Sequence, residues 1–134
     1  MTRTLNFSLV TLAILFGTTA HAAKHVVQVQ NGRFSPSPIT ISVGDTIEFQ
    51  NGSTGTHTVT ADPALALVPS NVELPVGAEP FNSGRLTPGK TFSHTFTVAG
   101  NYRYVCLPHE KMGMKGAVVV TEATAEADDV STND

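Results

Sequence analysis

Tryptophan is absent from the 134 residues, cysteine occurs once, and charged side chains make up only 14%. With 8 Lys+Arg against 11 Asp+Glu, a net charge of −3 and no Lys/Arg-rich run, the chain lacks the basic face that grips phosphate backbones, which excludes a nucleic-acid-binding protein. A lone cysteine excludes an internal disulfide and a Cys-x-x-Cys redox motif, and it is too few for the usual closed zinc set. There is no His-x-His pair and no methionine-rich repeat. No stretch is long enough to span a bilayer comfortably, which takes about 20 apolar residues.

What is present points to one small, turn-rich domain. Apolar residues make up 40% of the chain, with Gly 11 and Pro 8 spread along it, which is too apolar for a disordered chain and too broken for a helical bundle. The length allows one domain. Residues Met1 to Ala22 begin with Arg3, run through the apolar Leu9 to Phe16, and end in Ala20-His21-Ala22. This is the pattern of a signal peptide with a small-x-small cleavage site. The expectation is a signal peptide over 1–22, a mature chain starting at Ala23, and a soluble protein that is periplasmic or otherwise exported, without stable membrane insertion after cleavage. An oxidising compartment pairs or destroys spare thiols, so the single Cys106 requires protection.

Short alternating runs recur at 25–30, 39–43, 46–50, 57–60, 91–98, 102–105 and 117–121. They are separated by turn formers such as Asn31-Gly32, Gly44-Asp45, Pro88-Gly89 and Ala99-Gly100-Asn101. Strands at this spacing predict an all-β sandwich of about seven to eight strands. Residues 61–90 hold five prolines (Pro63, Pro69, Pro75, Pro80, Pro88) and read as a long irregular surface connection, with Asp62 as the N-cap of a short helix. Residues 122–134 carry five acids, no base and one branched aliphatic, too little apolar surface to offset ordering entropy, and read as a disordered acidic tail. The domain between, 23–121, has 7 Lys+Arg against 6 Asp+Glu, a net of +1.

Cys106, His109, Met112 and Met114 fall within nine residues, and His57 lies on an earlier run. Thiolate, imidazole and thioether together select a soft or borderline metal, and two His, one Cys and a weak axial Met is the donor set of a mononuclear blue-copper centre. The short Cys-x-x-His loop supplies two strong ligands, so the third has to arrive from elsewhere, and His57 can supply it if the end of its strand abuts that loop. A Cys106 nucleophile with a histidine base is not favoured, because no third orienting group stands out. His25 and His94 have no ligand pattern around them and are expected to be surface residues without a role.

The stretch Gly100-Asn-Tyr-Arg-Tyr-Val-Cys106-Leu-Pro-His109-Glu-Lys-Met112-Gly-Met114-Lys-Gly116 resembles the ligand loop of plastocyanins and pseudoazurins, which are small cupredoxins. The likeness extends upstream to Val43–Asn51 and His57-Thr58-Val59. It implies a Greek-key sandwich holding one type 1 copper, with His57, Cys106 and His109 as strong ligands and Met114, eight residues after the cysteine, as the axial one. Met112 competes through its similarity to the shorter amicyanin loop. Two positions depart from the pattern: Thr58 stands where the family often has Asn, and Val105 where plastocyanins have Tyr.

Such a centre alternates between Cu(I) and Cu(II) with little movement, so the expected function is single-electron transfer without substrate turnover. The resemblance places the electron exit at the edge of His109, framed by Leu107, Pro108, Met112 and Gly113. Lys111 and Lys115 make a positive rim for a transient redox partner such as a cytochrome or a larger redox enzyme, with the protein itself a monomer. A copper carrier or storage protein without redox cycling is the alternative, which methionine-rich repeats would support.

Overall fold

The computed structural model describes residues 21–123; the expectations for 1–20 and for the tail beyond 123 lie outside them. Nine strands are found in this range: β1 (Lys24–Gln30), β2 (Arg33–Ser35), β3 (Ile39–Ser42), β4 (Thr46–Asn51), β5 (Thr60–Ala61), β6 (Phe81–Asn82), β7 (Thr91–Thr95), β8 (Gly100–Val105) and β9 (Lys115–Thr121). They form two sheets, ordered β2-β1-β4-β7 and β3-β9-β8-β5-β6. The expected all-β sandwich is present. Its count exceeds seven to eight because β2 and β6 are only three and two residues long, too short to leave a period in the sequence.

Alternation decides which side chains enter the core. In β1, Val27 and Val29 are buried; in β4, Ile47, Phe49 and Asn51; in β9, Gly116, Val118 and Val120. Each fully buried Val, Ile or Phe contributes roughly 1.5–3 kcal/mol. Aromatic rings bridge the layers: Phe34 of β2 and Phe49 of β4 meet Tyr104 of β8 edge-on, with centroids 4.7 Å and 5.4 Å away. β1 and β4 pair in parallel, as do β3 and β9. These pairings join segments distant in the chain, as a sandwich built by crossing between sheets requires.

The connection 61–90 is tied to the domain more firmly than its prolines suggest. It contributes β6, a 3-10 turn at Pro69–Asn71, and the isolated bridges His57↔Leu86 and Glu73↔Arg103. The helix expected at Asp62 is only a turn, in which Ala64 N–H donates to the Asp62 carboxylate at 2.9 Å and the amides of Leu65 and Ala66 donate to its carbonyl. The expected strand 57–60 is likewise shifted to Thr60–Ala61, with His57 held only through its bridge to Leu86.

Neither His25 nor His94 is the free surface residue expected. His94 is half-buried, stacked on Phe81 at 3.9 Å and edge-on to Phe96 at 4.7 Å, and burial lowers its pKa. His25 Nε2 lies 2.8 Å from Asp45 Oδ2. The buried Asp45 carboxylate also accepts from Ala23 N–H at 2.8 Å and Ser42 N–H at 3.0 Å. Burial pushes the Asp45 pKa up, but the bonds from Ala23, His25 and Ser42 together outweigh it and hold the pKa below the usual range. A depressed carboxylate contributes stability that is present above its unfolded pKa, about 3.9, and lost as pH falls through the folded value. We therefore expect Asp45→Asn to cost roughly 2–3 kcal/mol at pH 7. In urea titrations, the difference between wild type and variant should be full above about pH 4 and narrow as pH falls below it, through the depressed folded pKa.

Tyr104 is fully buried and its hydroxyl finds no hydrogen-bond partner among the described residues. Burial alone drives its phenol pKa upward. Tyr104→Phe keeps the ring contacts and removes the orphan hydroxyl, so a gain of about 1 kcal/mol in unfolding free energy is expected. A loss of similar size by urea denaturation would show that the hydroxyl is satisfied in solution.

Candidate metal centre

The centre is assembled at one end of the sandwich by two segments that the sheets bring together. The register Thr60↔Val105 sets β5 beside β8, so the residues just before β5 lie against those just after β8. Thr58 N–H donates to Cys106 Sγ at 3.4 Å, and Thr58 Oγ1 accepts from Leu107 N–H at 2.9 Å. Threonine at the position that departs from the family pattern thus still supplies a donor to the sulfur and a fastening for the loop.

The ligand loop closes on itself. Leu107–Met112 forms a 3-10 turn with Pro108 in its first turn, kinked at His109 (φ −122°, ψ 16°). Gly113 ends it in the left-handed region at φ 81°, where a side chain would be strained. Cys106 N–H then donates to Met114 O at 3.0 Å, and Met114 N–H to His109 O at 3.2 Å. Immediately beyond, Gly116 packs so close to the Tyr104 ring that an added Cβ would lie 2.2 Å from it.

Three of the predicted donors converge. The ligand atoms of His57, Cys106 and His109 lie within 4.8 Å of one another, with Cys106 Sγ 3.6 Å from His57 Nδ1 and 3.4 Å from His109 Nδ1. His57 and Cys106 are buried, whereas His109 is half-buried. The thiol that export would endanger is protected by burial. Burial raises its pKa, partly offset by the bonds from the Thr58 and His109 amides. The His57 pKa is lowered by burial first and by the neighbouring His109 second, which favours the neutral imidazole that a metal requires.

The methionines separate cleanly. Met114 is fully buried, whereas Met112 is 71% exposed. One thiol, two imidazoles and a buried thioether in the same loop form a donor set that fits a type 1 copper ion.

Three supporting residues were not visible as such in the sequence. Asn51 is buried, and its amide donates to Gly55 O at 2.8 Å and Leu86 O at 2.9 Å. Ser53 Oγ donates to Asn51 Oδ1 at 2.7 Å and lies 2.8 Å from His57 Nε2. With the serine proton directed to Asn51 Oδ1 or Gly55 O, Ser53 Oγ is free to accept from Nε2–H, the tautomer that leaves the Nδ1 lone pair for a metal beside Cys106. Asn51 was legible only as the end of the upstream likeness; its link to His57 was not. The third is Glu110, a carboxylate buried beside a predicted ligand, for which the sequence offers no signal.

A family model of copper-binding proteins, the plastocyanin/azurin family, matches residues 22–121. The chain is a cupredoxin. It belongs to the family whose ligand loop it resembles, a class of copper electron carriers, and the His-Cys-His cluster with Met114 nearby fits a type 1 copper site. A chloroplastic plastocyanin of Hordeum vulgare is 35% identical over 111 residues, covering 81% of this chain and 68% of the plastocyanin. A solved amicyanin variant in its reduced state superposes with a TM-score of 0.57 at 28% identity, over 72% of this cupredoxin and 81% of the amicyanin. A Cu-containing nitrite reductase of Thermus scotoductus reaches a TM-score of 0.58 at 30% identity over 75% of this chain, which spans only 23% of that protein. Among the described residues no helix is long and apolar enough to cross a membrane.

Proposed function

We propose that this cupredoxin is exported by the signal peptide at 1–22 and shuttles single electrons between redox proteins. In this reading one copper is held by His57, Cys106, His109 and, as the axial ligand, Met114. The observation that carries the reading is the convergence of one sulfur and two imidazole nitrogens within 4.8 Å. A copper ion bound there supplies a one-electron couple, Cu(II)/Cu(I). The chain's part is to keep the geometry unchanged between states: Ser53 orients His57, Thr58 N–H faces the sulfur, and the closed loop holds His109. Burial of Cys106 and His57 excludes water, while the half-buried His109, with Pro108, Met112 and Gly113 exposed on the same loop, offers a small apolar face. Lys111 and Lys115 are exposed on the same loop and suit a salt-sensitive encounter with an acidic cytochrome or larger redox enzyme.

We read the protein as a carrier rather than an enzyme. One metal cluster is found among the described residues, and the part shared with the nitrite reductase is less than a quarter of that protein.

The test is visible absorption and electron paramagnetic resonance of the purified protein after adding Cu(II). The expected result is an intense red-region absorption and a narrow copper hyperfine splitting, reversibly bleached by ascorbate. A colourless protein that retains only Cu(I) would favour a copper carrier instead.

A further inference from the structure

Glu110 carries a carboxylate that copper ligation does not use, yet it is only 4% exposed and its three hydrogen bonds all leave the ligand loop. Oε2 accepts from Leu67 N–H at 2.7 Å, and Oε1 from Val68 N–H at 3.0 Å and from the Asn71 side-chain amide at 2.8 Å. Asn71 Oδ1 in turn accepts from Lys115 Nζ at 2.9 Å, on the far side of the loop. A buried carboxylate is costly unless its lone pairs are filled, and here they are filled by the connection 61–90. The same residue's backbone closes the turn, because Gly113 N–H donates to Glu110 O at 2.9 Å.

The geometry points to Glu110 as the positioning residue of the copper site: its carboxylate latches the segment Leu67–Asn71 onto the ligand loop, and through that latch sets where His109 stands relative to Cys106. The assignment rests on the copper reading above. Its physical basis is that a 3-10 turn of six residues with a kink at His109 has few internal bonds to resist deformation. An outer anchor on the residue next to the ligand therefore limits its motion, as outer groups limit ligand motion in other metal sites. It also gives the connection 61–90, otherwise a surface excursion, a mechanical role.

The experiment compares wild type, Glu110→Ala and Glu110→Gln by two readouts. The first is amide hydrogen exchange at Leu67 and Val68 in the metal-free protein. The second is the rate of Cu(II) loss to excess EDTA, together with the paramagnetic spectrum of the Cu(II) form. Glu110→Ala is expected to speed exchange at both amides at least about tenfold, to speed copper loss by roughly 10–100-fold, and to change the hyperfine splitting. Glu110→Gln keeps one acceptor oxygen, so it should restore Val68 protection and bring copper loss back to only several-fold faster than wild type, while Leu67 still exchanges fast. A blue wild type whose alanine variant keeps the copper-loss rate within twofold and the spectrum unchanged overturns this assignment alone, even if both amides open. A wild type without the blue absorption overturns the copper reading, and the assignment with it, whatever the amides do. Should Glu110→Ala fail to fold, Glu110→Gln decides: copper loss several-fold faster than wild type supports the latch, and an unchanged rate overturns it.

Discussion

Cys106→Ala protein mixed with Cu(II) is expected to show no red-region absorption and no narrow hyperfine splitting, a complete loss rather than a shift. The absorption depends on a thiolate bonded to copper, and Cys106 is the chain's one sulfur of that kind. The two imidazoles remain, so weak copper binding with the broad splitting of a nitrogen and oxygen site is the expected residue. The fold should persist, because Cys106 is one of many buried side chains of the sandwich core and its replacement removes a single sulfur. Far-ultraviolet circular dichroism matching wild type, alongside the missing absorption, would separate loss of the site from loss of the fold. A variant that stays blue would show that the colour arises elsewhere, and the reading of the whole cluster would fall.

The second large effect divides the methionines. Met114 is fully buried and Met112 is 71% exposed, although they stand two residues apart. Met114→Ala removes a buried side chain and leaves a cavity, costing about 2–5 kcal/mol in the metal-free protein. In the copper form it would also remove the thioether proposed as the axial ligand, and the reduction potential is expected to move. Met112→Ala, at an exposed position, should stay within about 0.5 kcal/mol of wild type and leave the potential unchanged. Urea denaturation measures the first quantity and protein-film voltammetry the second. Equal shifts from the two variants, or a shift from Met112→Ala alone, would move the axial ligand to Met112.

The two experiments address different layers of the site. Cys106 carries the electronic coupling, so its loss is all or none. Met114 belongs to both the core and the centre, so its loss should register in stability and in potential together. Glu110 lies outside both, and its predicted effect is on geometry and metal retention.

The type of domain and the donor set were legible in the sequence because each rests on local chemistry. Alternating Val27-Val29, Ile47-Phe49 and Val118-Val120 specify which face of each strand turns inward, and period-two patterns survive in any sandwich. The soft donors Cys106, His109 and Met114 lie in one short loop, where residue type and spacing alone name a metal. His57 was separable from His25 and His94 only through its resemblance to the family pattern, since an isolated histidine has no local signature.

What the tertiary structure decided are relations between residues far apart in the chain. The pairing of β5 with β8 brings His57 and Thr58 to Cys106 across about fifty positions. The contrast in burial between Met112 and Met114 follows from the turn at Gly113, which directs one residue to solvent and the next but one into the core. His25 met Asp45 through the pairing of β1 with β4, and His94 met Phe81 across the two sheets, relations that no local pattern encodes. The connection 61–90 read as loose because proline and missing periodicity describe only the local backbone. Its order comes from hydrogen bonds to Glu110, Arg103 and His57. Side-chain type and spacing act locally and can be read in order along the chain; burial, register and the partners of a buried carboxylate exist only once the two sheets have closed on one another.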